Sequence, residues 1–203
     1  MATARKSNSD SSTSTSLLRR VREHDAGAWQ RLVDLYGPLV FYWGRRSGLR
    51  PPDAADVMQD VFAAVHGAIG RFERDPHGGT FRGWLWTIAR NKIHDHFRRA
   101  AGQAAAAGGT DAARRLDQVP ESWDDESADP RDRGALSGLY RRALEFVRSE
   151  FEERTWQAFW RSVVEDEPAA EIAADLGISA NAVRQYKSRV LRRLRQELGD
   201  LDG

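Results

Sequence analysis

Residues 167–198 read EPAAEIAADLGISANAVRQYKSRVLRRLRQEL, and this stretch decides the fold of the C-terminal part of the chain. Pro168 suits the first turn of a helix, and Gly177 suits the left-handed position at which a helix ends. Ser179 is a preferred N-cap residue and therefore predicts the start of a second helix. Two short helices joined by a tight turn that contains glycine are typical of a helix-turn-helix.

The second helix of this stretch has an apolar face and a cationic face. Successive residues are about 100° apart, which groups on one side the apolar residues Val183, Tyr186, Val190, Leu191 and Leu194. The opposite side carries Asn181, Arg184, Gln185, Ser188, Arg189, Arg192 and Arg195. Residues 180–195 contain six basic side chains and no acidic one.

This cationic face is chemically suited to DNA. Arginine, asparagine and glutamine pair with base edges, and the major groove admits one helix. Base reading is predicted for Asn181, Arg184, Gln185 and Ser188, and phosphate contacts for Lys187, Arg189, Arg192 and Arg193. The alternative interpretation is a charged helix that caps a helical bundle.

Two helices are predicted near the N-terminus. The first runs from about Asp25 to Arg46 and has one apolar face, formed by Trp29, Leu32, Val33, Tyr36, Leu39, Val40 and Trp43. The sequence Pro51-Pro52-Asp53 then breaks the chain and offers Asp53 as the N-cap of the second helix. Its apolar residues recur every four positions, at Val57, Val61, Val65 and Ile69.

The polar side of the second helix carries an acidic stripe of Asp56, Gln59 and Asp60. One interpretation is helix capping, because Asp56 lies three residues after Asp53 and acidic groups complement the helix dipole. The other interpretation is docking on a basic protein partner. The residues alone do not separate the two.

A third long helix is predicted to begin at Thr80, in TFRGWLWTIARNKIHDHFRR. Apolar residues cover most of its circumference and leave a narrow polar stripe of Thr87, Arg90, Asn91, His94 and Arg98. Core packing is one interpretation, since its tryptophans lie at helical spacing with other apolar residues. The other is binding of a separated DNA strand, with arginines at phosphates and aromatic rings at unstacked bases.

The 203 residues divide by composition into a tail, two modules and a linker. Residues 1–16 are rich in serine and threonine and are predicted to be a disordered tail. Residues 100–135 are rich in alanine, glycine and aspartate and carry eight acidic and four basic residues, which predicts a flexible acidic linker. It separates an N-terminal helical domain, 17–99, from a C-terminal helix-turn-helix domain, 136–198. No alternating strand pattern occurs, so the predicted fold is all-α, with two small helical domains.

Composition also excludes several classes of function. The chain has no cysteine, and no apolar run approaches the length of a membrane span, so we expect a cytoplasmic protein without a membrane span. His94 and His96 lie about 200° apart on a helix and cannot bind one metal ion together. We expect no metal, no cofactor and no catalytic residue.

The order of these parts resembles the extracytoplasmic-function (ECF) group of bacterial RNA polymerase sigma factors. DVMQDVFAAVHGAIGRF resembles the family's polymerase-docking helix, FRGWLWTIARNKIHDHFRR its strand-opening helix, and AAEIAADLGISANAVRQYKSRVLRRLR its promoter-reading helix-turn-helix. The three motifs occur in the family's order across a variable linker, and the match covers about 17–198.

The resemblance implies roles for individual residues. Contacts with the clamp helices of the largest subunit of core RNA polymerase are implied for Asp56, Gln59, Asp60 and Phe62. Capture of flipped non-template bases of the minus-ten element is implied for the loop from about Phe72 to Arg82, with Arg90, Asn91, His94 and Arg98 on the strand. Reading of the minus-thirty-five element is implied for Asn181, Arg184, Gln185 and Ser188.

The partners implied are core RNA polymerase and promoter DNA, and the sequence leaves open whether an anti-sigma factor binds as well. A transcription initiation factor without catalysis of its own is therefore expected. Two competing interpretations remain at this point. A stand-alone operator-binding regulator explains residues 168–195 but not the acidic stripe, and a nucleic-acid-processing enzyme needs a carboxylate cluster or metal site that the sequence lacks.

Overall fold

The computed structural model describes residues 17–72, 80–105 and 130–198, and all regular structure in these ranges is helical. The helices are α1 (Leu17–Arg22), α2 (Ala26–Arg46), α3 (Pro51–Ala68), α4 (Phe81–Ala105), α5 (Pro130–Arg148), α6 (Glu153–Val163), α7 (Ala169–Leu176) and α8 (Ala180–Leu198). A single 3-10 turn, Ile69–Arg71, follows α3. The all-α prediction is confirmed. The predicted tail 1–16 lies outside the described residues, as do residues 106–129 of the predicted linker.

Helices α4 and α5 extend into the segment 100–135 that the sequence predicted as a linker. Helix α4 continues to Ala105, and α5 begins at Pro130. Alanine has the highest helix propensity, so an alanine-rich stretch readily prolongs a helix that packing has already formed. Proline is favoured in the first turn of a helix, which explains the start of α5.

Helix α2 forms as the sequence predicted. Asp25 is its N-cap, and its carboxylate accepts a hydrogen bond from the Ala28 backbone N–H at 3.0 Å. Leu32, Tyr36 and Trp43 are buried along one face. The short helix α1, which was not predicted, packs its own apolar side chains into the same core, namely Leu17, Leu18 and Val21.

The start of α3 differs from the prediction. The helix already includes Pro51 and Pro52, and Arg50 holds the N-cap position. Asp53 therefore lies inside the first turn, where its carboxylate pairs with the Arg50 guanidinium at 2.7 Å. The first turn of a helix leaves its backbone N–H groups without a partner in the helix, so the N–H that proline lacks is not missed there. The φ angle of proline is also helical, and the two prolines therefore begin the helix instead of breaking the chain.

The predicted helix-turn-helix is present in α7 and α8. Gly177 ends α7 with φ 63° and ψ 40°, the left-handed conformation expected at this position. The Ser179 hydroxyl accepts a hydrogen bond from the Ala182 backbone N–H at 3.1 Å and so caps α8. Ile172 and Val183, one from each helix, are buried together and fix the angle between the helices.

The C-terminal helices pack against the N-terminal ones. Leu139 and Ala143 of α5, together with Leu198 at the end of α8, belong to the same buried cluster as the core of α2. The Arg142 guanidinium donates a hydrogen bond to the Leu35 carbonyl at 3.2 Å. The Tyr36 hydroxyl donates a hydrogen bond to the Leu198 carbonyl. Helix α2 is therefore the surface on which the two parts of the chain meet.

Among the helices described, none combines the length and the apolar character that crossing a bilayer requires.

Candidate nucleic-acid interface

The cationic face of α8 is open to solvent. Six of the predicted DNA-contacting residues are exposed, Asn181, Arg184, Gln185, Ser188, Arg189 and Arg192, and Lys187 is half-buried. The opposite face packs Val183 and Val190 into the interior. The helix therefore presents base-pairing and phosphate-pairing side chains on the side that its packing leaves free.

Arg193 does not belong to this face. Its guanidinium pairs with Glu150 at 2.6 Å and with Glu197 at 2.7 Å, and its side chain is only 12% exposed. It lies three residues after buried Val190 and so falls on the same side of the helix. We therefore remove Arg193 from the predicted phosphate contacts.

Arg161 connects the helix-turn-helix to α6. Its guanidinium donates to Glu167, just before α7, at 3.0 Å, and to Asp175, in the last turn of α7, at 2.7 Å. The hydrogen bond from Arg161 holds the pKa of the Glu167 carboxyl below its usual value. This pairing fixes α7 at both ends, and the sequence pattern gave no sign of it, because the partners lie six and fourteen residues from Arg161.

The polar stripe of α4 lies partly on the surface. Thr87, Asn91 and Arg98 are exposed, whereas Arg90 and His94 are half-buried. Burial, and next the positive charge of Arg90, lower the pKa of His94 and so favour the neutral form of its ring. Among the described residues, its Nε2 atom is buried without a hydrogen-bond partner.

The tryptophans of α4 serve mainly the core. Trp86 is 3% exposed, and its ring packs edge-on against Trp43 at a centroid distance of 5.2 Å. Trp84 is half-buried and contacts the Phe72 ring at 4.9 Å. Of the two interpretations of these aromatic residues, core packing therefore applies to Trp86, and only Trp84 offers part of a ring to solvent.

The segment between α3 and α4 lies mostly outside the described residues, because residues 73–79 are not among them. Its two ends are held together by an aromatic contact, with 5.7 Å between the ring centroids of Phe72 and Phe81. Arg22 donates hydrogen bonds to the carbonyls of Ile69 and Phe72. Arg22 is a residue that the sequence reasoning missed, since its partners lie about fifty positions away.

The acidic stripe of α3 is exposed in all three of its predicted positions, Asp56, Gln59 and Asp60. Because α3 begins at Pro51, Asp56 lies in the second turn, too far from the free N–H groups to cap the helix. The Asp60 carboxylate is 3.6 Å from the Arg99 guanidinium of α4, and both side chains are at least half exposed.

Phe62 does not lie on this stripe. It is 6% exposed, and its ring packs edge-on against Trp29 at a centroid distance of 6.2 Å. Its aromatic ring is part of the apolar core between α2 and α3, so the structure separates Phe62 from the exposed acidic stripe, and its contact with the polymerase stays a prediction. In the ranges that the structure describes, no group of three or more His, Asp or Glu side chains is placed to hold a metal ion.

Comparison with known proteins agrees with this geometry. The family model for sigma-70 region 2 matches residues 32–103, and the model for sigma-70 region 4 matches residues 150–194. The first match contains the α3 and α4 surfaces, and the second contains the helix-turn-helix.

Two individual relatives match almost the whole chain, and both are RNA polymerase sigma factors. RNA polymerase sigma factor CarQ of Myxococcus xanthus is 30% identical over 185 residues, which cover 91% of this chain and 97% of CarQ. ECF RNA polymerase sigma factor BldN of Streptomyces coelicolor is 28% identical over 193 residues, covering 95% of this chain and 68% of BldN.

Among solved structures, the complex of CnrH with the cytosolic domain of CnrY matches 88% of this chain and 92% of that chain, at 24% identity and a TM-score of 0.35. A TM-score this low carries no information about how the helices are arranged, so the assignment rests on the sequence matches. With region 2 on α2–α4 and region 4 on the helix-turn-helix, the chain belongs to the ECF group of RNA polymerase sigma factors, which act in transcription initiation.

Proposed function

We propose that this sigma factor docks on core RNA polymerase through α3, reads the minus-thirty-five element with α8 and holds the melted non-template strand with α4. The observation that carries the proposal is the exposed cationic face of α8, which no carboxylate interrupts between Asn181 and Arg195. It is placed by a helix-turn-helix whose turn and cap have the expected geometry.

Promoter reading by α8 follows from which side chains are free. Arg184 and Gln185 are exposed in the N-terminal half of the helix, which is the half that enters the groove in this motif. Arg189 and Arg192 are exposed in the C-terminal half, where phosphates are the nearer partners. Specificity is therefore assigned to the first pair and general affinity to the second.

The reading role is tested by substituting single arginines in the holoenzyme. Arg184→Ala is expected to cost about 1–3 kcal/mol and to relax preference at one upstream base pair. Arg189→Ala is expected to weaken binding evenly across sequences, and Arg154→Ala, which removes an exposed arginine of α6, serves as the matched control. A uniform loss with Arg184→Ala would assign that residue to phosphate contact and contradict base reading.

Docking on the polymerase is supported by the exposure of the α3 stripe. Asp56 and Gln59 point away from the core, and the capping explanation for Asp56 no longer applies. Asp60 is engaged with Arg99 only at 3.6 Å, so it remains accessible to a basic partner. An exposed pair of this kind contributes little to folding, which leaves the stripe free for recognition.

The docking role is tested with the double variant Asp56→Arg, Gln59→Ala, mixed with purified core polymerase. Asp34→Arg is the matched control, because Asp34 is also an exposed acidic residue of the same module but lies on α2. The double variant is expected to lose most of its affinity for core polymerase while the control keeps it. Equal binding by both would refute docking through α3.

Strand holding by α4 is supported by its surface chemistry. Asn91 and Arg98 are both exposed on the polar stripe of α4. An arginine suits a phosphate, and an amide suits base edges. Flipping a base costs a few kcal/mol, so these contacts must favour the open strand by at least that amount.

Strand holding is tested by measuring how tightly the holoenzyme binds two DNA probes, a single-stranded minus-ten oligonucleotide and a duplex that carries the minus-thirty-five element. An Asn91→Ala, Arg98→Ala double variant is expected to lower affinity for a single-stranded minus-ten oligonucleotide while leaving duplex binding at the minus-thirty-five element unchanged. Arg19→Ala, which removes an exposed arginine outside α4, is the control. Unchanged affinity for the oligonucleotide would refute the assignment.

A further inference from the structure

Two histidines from distant parts of the sequence meet on the surface of the N-terminal helices. His24 lies in the turn between α1 and α2, and His66 lies in the last turn of α3. Their ring centroids are 6.0 Å apart, with 59° between the ring planes, and both side chains are exposed. We call these two residues the histidine pair. The sequence gave no sign of it, because 42 positions separate its members.

The spacing of the two rings suits a shared metal ion. An imidazole nitrogen binds Zn²⁺ at about 2.0–2.1 Å, which places the ring centroid about 3.2 Å from the ion. Two rings on one ion are then about 5.2 Å apart at a tetrahedral angle and about 6.4 Å apart at a linear one. The observed 6.0 Å lies between these limits. A small rotation of two exposed side chains therefore brings both rings onto one ion.

The fold holds both members of the pair in place. His24 has the left-handed conformation, with φ 59°, which histidine adopts more readily than most residues. Its backbone N–H donates a hydrogen bond to the Val21 carbonyl at 3.1 Å. The His66 ring packs edge-on against half-buried Trp29, at a centroid distance of 5.0 Å. An ion would therefore bind to ligands that the fold has already brought together.

The neighbouring groups decide which ions the pair can bind. The carboxylates nearest in sequence are engaged with arginines, since Glu23 pairs with Arg19 at 3.3 Å. Asp25 pairs in the same way with Arg20, at 2.7 Å. The protein ligands are therefore two imidazoles, with water in the remaining positions. Imidazole suits Zn²⁺, Cu²⁺ and Ni²⁺, whereas Mg²⁺ and Ca²⁺ require oxygen ligands. The C-terminal end of α3 beside His66 also favours a cation, because the helix dipole is negative there.

We propose that the histidine pair binds one divalent transition-metal ion of the Zn²⁺ class, and that this ion joins the end of α3 to the turn between α1 and α2. His66 follows Gln59 by seven residues, so the site lies about 10 Å further along the same side of α3 than the acidic stripe. Exposed charges this far apart are largely screened at physiological ionic strength, where the Debye length is about 8 Å. The ion therefore acts on the stability of the N-terminal helices and not on the charge of the stripe.

The site is tested by calorimetric titration of the full-length protein with ZnCl₂ at pH 7. One Zn²⁺ should bind per chain, and His24→Ala and His66→Ala should each weaken its binding at least tenfold. His96→Ala is the matched control and should keep the affinity, since His96 lies on α4, outside the pair. MgCl₂ should give no binding. Zn²⁺ at about 100 times its dissociation constant should raise the melting temperature of the unsubstituted protein by about 5–10 °C and leave both pair variants unchanged.

A second measurement keeps the test decisive if a variant fails to fold. In ring-proton NMR of the unsubstituted protein, Zn²⁺ should shift the resonances of His24 and His66 and leave those of His94 and His96 in place. The shifts should disappear at pH 5, because histidine binds metals through its neutral imidazole.

Three outcomes would contradict the proposal, and none depends on docking or promoter binding. Absence of Zn²⁺ binding to the unsubstituted protein would leave the pair as an aromatic contact with Trp29 and overturn the site. Binding that survives in both pair variants, or NMR shifts confined to other histidines, would overturn it as well. Binding to the pair without a rise in melting temperature would overturn the role of the ion in joining α3 to the turn.

Discussion

Replacing Gly177 by alanine isolates what the turn contributes to the stability of the helix-turn-helix. A β-carbon built on Gly177 would meet no atom within 4 Å, so the direct cost is the backbone conformation at φ 63°. A left-handed residue other than glycine costs about 1–2 kcal/mol. The less flexible unfolded chain of the alanine variant offsets about 0.4–1 kcal/mol of that. We expect Gly177→Ala to lower the free energy of unfolding by about 1 kcal/mol.

Gly67→Ala is the matched control, and it should change stability in the opposite direction. Gly67 lies within α3, is exposed and likewise has no atom within 4 Å of an added β-carbon, but it lacks the positive φ. Glycine inside a helix is about 0.5–1 kcal/mol less favourable than alanine. The two variants should therefore differ by about 2 kcal/mol, or about 4–8 °C in melting temperature for a chain of this length.

The assay is thermal unfolding followed by circular dichroism at pH 7, with the unsubstituted protein run beside both variants. Its melting temperature should lie between the two. If Gly177→Ala melts at or above the unsubstituted protein while Gly67→Ala shows the expected gain, then the left-handed turn carries no conformational cost, and the explanation of how α7 ends is refuted.

Three further predictions concern the caps, the core and pH. Ser179→Ala should lower the free energy of unfolding by about 1 kcal/mol in urea, because α8 loses its N-cap. Ser179→Asp should keep most of that free energy, because aspartate is also a preferred N-cap residue. Equal losses in the two variants would contradict the capping role. Ile172 is fully buried, so in the same assay Ile172→Ala should lower the free energy of unfolding by about 2–5 kcal/mol and Ile172→Val by about 0.5–1.5 kcal/mol. A loss below about 1 kcal/mol for the alanine variant would contradict this and mean that the site collapses around the cavity. His94 has a lowered pKa, chiefly through burial and next through Arg90, so the unfolded chain takes up its proton first and stability falls as the pH drops below about 6.5. His94→Gln should remove that part of the pH dependence between pH 7 and 5, and an unchanged slope would contradict it.

The features predicted correctly from the sequence are those that depend on neighbours within a few residues. The apolar periodicity of α2 and α8, the glycine that ends α7 and the serine that caps α8 each act within one or two helical turns. The exposed face of α8 follows from the same periodicity, because the side opposite a buried stripe faces solvent. All seven residues predicted for this face are exposed, and angular spacing alone predicted them.

The features that the sequence reasoning missed or misplaced depend mainly on contacts between distant parts of the chain. Phe62 was grouped with the exposed acidic stripe, but Trp29 of another helix covers its ring. Arg22 and Arg161 find partners that no local pattern indicates. The capping role suggested for Asp56 does not apply, because the helix begins at Pro51, three residues before the start that an N-cap at Asp53 predicted. Tertiary packing decided the outcome for Phe62, Arg22 and Arg161, whereas for Asp56 it was the local preference of proline for the first turn of a helix.

Helix α8 shows how one element can serve both the interior and a DNA surface without conflict. Arg192 and Arg193 are adjacent in sequence, yet about 100° of rotation leaves the first exposed and places the second between two carboxylates. Along the axis the same helix separates its tasks again, since Arg184 and Glu197 are thirteen residues, or about 20 Å, apart. Arg31 of α2 pairs with Glu197, so a change at Arg31 can weaken the contact between the two parts of the chain while the base-reading residues keep their positions. This separation is the reason that Arg31→Glu and Arg184→Ala should have independent effects, the first on the free energy of unfolding and the second on sequence preference, and that their combination should be additive.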